Sequence, residues 1–193
     1  LIISMKKIIS FTLDFVILIM SVWLSSCKED VLPKPKAQLR LEYNEPSYIS
    51  NNSNCPYQFE VSSDAEIKTN NKCWTNINYP HLNASINITY RAIDHNLKEL
   101  FIESEKLTFK HAIKADGISS VPYINKSKRI YGAIYEVTGN AASPIQFHAT
   151  DSVKNFITGA VYFNVQPNYD SIKPAIRYLQ KDIIHLMETI EWK

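Results

Sequence analysis

Three thiols and five imidazoles are the side chains of this 193-residue sequence whose types suit covalent or metal chemistry. Cys27 closes the run Leu24-Ser25-Ser26-Cys27, an aliphatic residue, two small residues and a cysteine. That spacing suits a thiol that takes up diacylglycerol, because the signal peptidase needs small residues just before the bond it cuts. Cys55 and Cys73 form an even pair. In an exported chain such a pair reads as a disulfide, closing a loop of about 18 residues and contributing very roughly 3 kcal/mol. The alternative is metal binding, but His81 is the only nearby imidazole and the sequence has no CxxC. His81, His95, His111, His148 and His185 fall in no HExxH or other close metal spacing, so neither a metal nor a cofactor is expected. His111 and His185 fall on expected helices, as capping or edge residues.

GxSxG, Walker and GxGxxG patterns are all missing from the sequence. With Cys27 lipidated and the other two cysteines paired, no thiol nucleophile is left over. The expectation is therefore not an enzyme; a hydrolase would need a cleft where titratable groups converge. The most unusual local segment is Glu136-x-x-Gly139-Asn140-Ala141-Ala142-Ser143. It reads as a tight turn, with Gly139 and Asn140 suited to positive φ, and also as a candidate recognition loop built on Glu136, Gly139, Asn140 and Ser143. Asp151-Ser152-Val153 and Asp170-Ser171-Ile172 match an acidic–hydroxyl–aliphatic pattern of O-glycosylation, with a strand-end turn and a helix cap as the plainer readings.

The elements that must carry these residues divide the chain in three. Residues 1–26 have the form of an export signal: Met5 is followed by Lys6 and Lys7, then by an apolar stretch densest over Phe15–Leu24. Asp14 interrupts that stretch, leaving it well short of the ~20 apolar residues that span a membrane. Residues 27–37 hold the lipidated cysteine and a polar tether whose Pro33 and Pro35 favour an extended chain. Residues 38–193 are long enough for one ordinary domain. Without Lys6, Lys7 and Asp14 the chain keeps 19 basic and 18 acidic residues, a balance that argues against a nucleic-acid surface.

Alternating runs predict strands at Leu39–Tyr43, Tyr57–Val61 and Ala84–Tyr90, with a turn-laden connection and one short strand over Val61–Trp74. A helix is expected from a capping box at Asn96 and Glu99 to near Asp116-Gly117, its stripe running through Leu97, Leu100, Phe101, Ser104, Leu107, Thr108, His111 and Ala115. Strands follow at about 118–125, 129–138, 144–151 and 155–165, joined by short turns and so paired antiparallel. A closing helix, capped by Asp170 or Ser171 with Pro174 in its first turn, carries the stripe Ile172, Ala175, Ile176, Leu179, Ile183, Met187 and Ile190. The fold class is α+β, an antiparallel sheet packed against two amphipathic helices.

Several runs are long enough to resemble a known family. They are Glu29-Asp30-Val31-Leu32-Pro33-Lys34-Pro35-Lys36, Asn54-Cys55-Pro56-Tyr57-x-Phe59-Glu60, Tyr131-Gly132-x-x-Tyr135-Glu136-Val137, Gly139-Asn140-Ala141-Ala142-Ser143, Pro167-Asn168-Tyr169-Asp170-Ser171-Ile172 and the closing Met187–Lys193. Together they resemble the gliding-motility lipoprotein family GldD of Bacteroidota across the mature chain. The α+β pattern is also similar to the PsbP/Mog1-like fold, an analogy of topology alone. The family resemblance implies a role in gliding motility and the associated type IX secretion system. It also implies Cys27 as lipid attachment site and Cys55 with Cys73 as the pair, and it brings no catalytic residue. Partners implied are other gliding and secretion proteins of the envelope, with the membrane engaged through the lipid. Cys27-Lys28-Glu29-Asp30 resembles a surface-export signal of such lipoproteins, and Lys28 differs from the Asp linked to inner-membrane retention, so the outer membrane is the expected site. The competing expectation is an envelope ligand-binding module recognising peptidoglycan or another glycan.

Overall fold

The structure, a computed structural model, describes residues 42–111, 115–165 and 168–193. The expected signal and tether lie outside the described residues, as do residues 39–41 of the first expected strand. Residues from 42 onward belong to one compact unit.

Period-two patterning builds the main sheet. In β5 (Thr75–Tyr79) the buried Thr75, Ile77 and Tyr79 alternate with Asn76 and Asn78. In β6 (Ala84–Ala92) Ala84, Ile86 and Ile88 point the same way and Asn87 and Thr89 the other. Five further strands complete the sheet: β4 (Glu66–Thr69), β7 (Ala115–Asn125), β8 (Ile130–Gly139), β9 (Ile145–Thr150) and β10 (Asn155–Phe163), in the order β4-β5-β6-β10-β9-β8-β7 with every pairing antiparallel. Two small ladders flank it: β1 (Tyr48–Ser50) on β3 (Glu60–Ser62), and β2 (Tyr57–Gln58) on β11 (Glu191–Trp192).

Sequential strands β7 to β10 meander back, so β10 lands beside β6 and the link from β6 to β7 must cross the sheet. Four strand spacings are ~19 Å, and helix α1 (Leu97–His111) is long enough at ~22 Å to make the crossing. The second helix, α2 (Tyr169–Thr189), covers the other face, here called the inner face. Its stripe Ile172, Ala175, Ile176, Leu179, Ile183 and Met187 is buried, as is Ile190 just beyond, against Ile77, Ile86, Ile134, Phe147 and Val161. Burying such side chains contributes ~1.5–3 kcal/mol each, which makes this layer the main stabilising core. Gly159 lets it close: a Cβ there would lie 2.1 Å from the Phe147 ring.

Cys55 and Cys73 are joined by a disulfide, with Cα atoms 5.6 Å apart. Tyr57 is fully buried and donates from its hydroxyl to the Cys73 carbonyl at 2.7 Å, so the disulfide loop is also fixed to the core. The C-terminus is held at the same place, with the Lys193 amide donating to the Pro56 carbonyl at 2.8 Å.

Four local expectations are corrected. Glu42 and Tyr43 are in no strand; among the described residues the first strand starts at Tyr48. Asn96 does precede α1, but its side chain accepts the Asp94 amide at 2.9 Å, turning back along the chain instead of capping forward. Helix α1 is described as far as His111, and Ala115 belongs to β7 and not to the helix stripe, because β7 pairs along β8 up to Gly139. Asn168, not Asp170 or Ser171, is the N-cap of α2, and Pro174 sits in its second turn, leaving α2 one amide donor short.

Candidate functional site

The turn singled out from sequence is placed first. Gly139 ends β8 with φ +92°, and a Cβ there would lie 2.7 Å from the Asp116 amide nitrogen, so both the backbone angle and the close approach of β7 require glycine. Asn140 accepts the Tyr169 amide at 3.1 Å, and the Ser143 hydroxyl, fully buried, donates to the Ile145 carbonyl at 3.0 Å. Glu136 is half-buried on the same side, and its charge helps burial to raise the Tyr169 hydroxyl. These residues are brought together at the start of α2, which they position. At the other end of β8, Lys128 Nζ donates to the Glu188 carbonyl at 2.8 Å and Trp192 to the Arg129 carbonyl at 3.1 Å, so α2 is fastened to β8 at both ends.

Titratable groups are largely committed to structure. The Asp151 carboxylate accepts the amides of Val153, Lys154 and Asn155 and the Asn155 side chain, all within 2.9 Å. Burial alone would raise its pKa, and these bonds outweigh it and hold the carboxyl below its ordinary value. The first Asp-Ser motif is thus a β9–β10 turn, with Ser152 exposed at φ +64°. In the second, the Ser171 hydroxyl donates to the Asn168 carbonyl at 3.2 Å.

Asp182, buried on α2, accepts the hydroxyls of Tyr48 at 3.0 Å and Tyr79 at 2.9 Å. Burial raises its carboxyl more than these two bonds lower it. His185 stacks on Tyr48 with ring centroids 3.6 Å apart and lies 2.8 Å from Glu60. Tyr43 rests on Tyr178 at 5.2 Å. The cluster therefore docks the N-terminal strand β1 onto α2. Among the described residues no three His, Cys, Asp or Glu side chains group as metal ligands.

A different arrangement lies on the outer face, under α1. Registers align a transverse row across six strands: Lys68, Asn76, Asn87, Ala160, Gln146 and Tyr135. A second row runs Thr89, Thr158, His148 and Ala133. Helix α1 meets these rows with hydroxyls: Leu100, Ser104 and Thr108 are its buried positions, and the Thr108 hydroxyl bonds back to the Ser104 carbonyl at 3.2 Å. Its large apolar residues Ile102, Leu107 and Phe109 are exposed, so the expected stripe fails at Leu107. Short hydroxyl side chains leave space beneath the helix, a cleft of about 200 Å³ between α1 and strands β6, β9 and β10. Among the described residues its lining carries no ionisable side chain except the Tyr162 phenol. A shallower groove of about 410 Å³, bordered by Lys68, Trp74 and Asn76, shares Asn87 and Thr89 with it.

Two side chains at this face are paid for by nothing visible in the packing: Gln146 and His148, each 5% exposed, leave Nε2 and Nδ1 without a hydrogen-bond partner. Phe101 meets the His148 ring edge-on at 5.2 Å and Phe156 lies parallel to it at 6.0 Å. Burial lowers the His148 pKa to about 4, so the imidazole is neutral at neutral pH. Sequence reading missed both residues. They occupy the polar positions of an alternating strand, which normally face water; here all six residues of β9 are buried because α1 covers the second face.

A family model described as gliding motility lipoprotein GldD matches residues 28–192 of the chain. No curated protein matches the chain at a significant level.

Proposed function

The chain belongs to the gliding motility lipoprotein GldD family, and from that premise we propose that it is a structural or assembly factor of the gliding apparatus and of the type IX secretion system associated with it. Membership itself carries a role in gliding motility and a membrane-anchored place in the cell envelope. No helix among the described residues is long and apolar enough to cross a membrane. Cys27 is the proposed anchor, after removal of residues 1–26, and several acyl chains on one cysteine hold a protein stably where a single chain does not. The outer membrane is the proposed membrane, with other gliding and secretion proteins as partners.

The match over residues 28–192 is the observation that carries this reading. The chemistry supports it: Asp151, Asp182 and His185 engage a turn, a strand dock and a hydrogen-bond contact with Glu60. Deleting the gene in its native host should abolish colony spreading and the export of secreted proteins together. A Cys27→Ser copy should fail to restore either and should leave the membrane fraction. Spreading and secretion that both persist in the deletion strain would overturn the proposal; loss of spreading alone would remove the secretion half of it.

A further inference from the structure

We propose that the cleft beneath α1 binds an N-acetylhexosamine unit of a glycan, with the acetamido group against Gln146. The inference stands apart from the family assignment and rests on the cleft alone.

The first observation is the Gln146 amide, which is 95% buried, lines the cleft and leaves Nε2 unpartnered. A buried polar group without a partner costs ~1–3 kcal/mol, so a ligand that supplies one gains that much selectivity over a ligand that does not. A secondary amide is the natural complement of a primary amide, since it offers a carbonyl to the donor and an N–H to the acceptor. The second observation is the lining. Thr89, Ser104 and Thr158 set hydroxyls around the same space, while Leu107 and Ala160 give it an apolar wall for a methyl group. A phosphate or carboxylate would find no cation there, which leaves a neutral, hydroxyl-rich ligand.

Size and direction narrow the class. The cleft is smaller than the ~300 Å³ typical of drug-sized ligands and suits a single sugar ring with its substituent. The groove that continues from it past Asn87 reaches Trp74, 42% exposed, an indole with Lys72 Nζ 5.3 Å from its ring centroid and of the kind on which the apolar side of a sugar rests. The groove runs across strands on a sheet face, as the row from Gln146 to Lys68 shows, and ends at the edge strand β4. The hydroxyl lining of the cleft and the part-exposed indole at the end of the groove favour a glycan over a peptide.

The test uses the full-length chain purified from membranes in detergent, titrated with tri-N-acetylchitotriose, with cellotriose and with tri-alanine. Saturable binding of the chitotriose is expected, with the side-chain amide resonance of Gln146 shifting as the sugar is added. Cellotriose should bind at least about tenfold more weakly, and Gln146→Leu should weaken the chitotriose by about tenfold. Should Gln146→Leu fail to fold, judged by its near-ultraviolet circular dichroism, Thr158→Val on the same wall takes its place. No saturable binding, equal binding of cellotriose, or resonance shifts confined to residues away from the cleft would each overturn the proposal. Preference for tri-alanine would replace the glycan with a peptide. None of these outcomes touches the gliding role, which the deletion strain tests separately.

Discussion

His148 makes the fold sensitive to mild acid. In the unfolded chain an imidazole takes up its proton near pH ~6.5. In the folded chain, wedged between Phe101 and Phe156 without a partner for Nδ1, it does so only near pH 4. Between those two values the unfolded state holds the extra proton, so stability rises with pH across the window and falls as the solution is acidified. The gap of about 2.5 pH units, at ~1.36 kcal/mol each, amounts to roughly 3 kcal/mol of stability present at pH ~7 and lost by pH ~4. Urea unfolding at those two pH values measures it directly. His148→Phe keeps an aromatic ring beside Phe101 and Phe156 and removes the titration, so the variant should lose roughly 3 kcal/mol less on acidification. Asp182 acts in the opposite sense: its raised carboxyl keeps a proton to higher pH in the folded state and favours folding at low pH. Asp151, held low, contributes stability that is lost only as pH falls below the ordinary carboxylate value. Both are shared by the wild type and the variant, so the difference isolates His148. Equal acid losses in the two proteins, or a His148 proton resonance titrating at pH ~6.5, would refute the reasoning.

Other perturbations test other layers. Replacing Cys55 and Cys73 together by serine should lower the free energy of unfolding by about 3 kcal/mol, read as a lower urea midpoint that reducing agent does not shift further. Gly159→Ala drives a methyl group into the Phe147 ring and should cost about 1–3 kcal/mol in thermal unfolding, much of it recovered when Phe147→Leu is added. Asp182→Ala should strand the Tyr48 and Tyr79 hydroxyls and cost about 1–3 kcal/mol. Its limited proteolysis should move to residues 42–50, whereas an unaltered cleavage pattern would show that Asp182 does not hold β1 in place.

Much of the architecture was readable because it follows periodicity. The stripe from Ile172 to Ile190 is buried throughout, and the alternation in β5 and β6 shows which face looks inward. Tyr131–Val137 and Gly159–Phe163 lie on β8 and β10, on either side of β9 in one sheet, as short turns require. What escaped the sequence depends on the crossing of α1. Periodicity placed Leu100, Ser104, Leu107 and Thr108 on one stripe; Leu100, Ser104 and Thr108 are buried against the sheet, and Leu107 is exposed. That one placement buries Gln146 and His148 and creates the cleft. Likewise Tyr48 and Asp182 are 134 residues apart, and no local pattern announces their bond.

The docking of β1 also gives the domain a defined mechanical response. A load entering from the N-terminal side first meets Tyr43 on Tyr178, then the three-residue ladder of β1 and the Tyr48 hydroxyl on Asp182. These contacts open in sequence, one after another, and so yield at low force. Peeling residues 42–50 releases about 30 Å of slack while the seven-stranded sheet stays whole. Shortly beyond, the pull reaches Cys55, where a covalent crosslink and the strand formed by Glu191 and Trp192 stop further extension. Residues 42–50 are thus a short extensible lead into a stiff, crosslinked body.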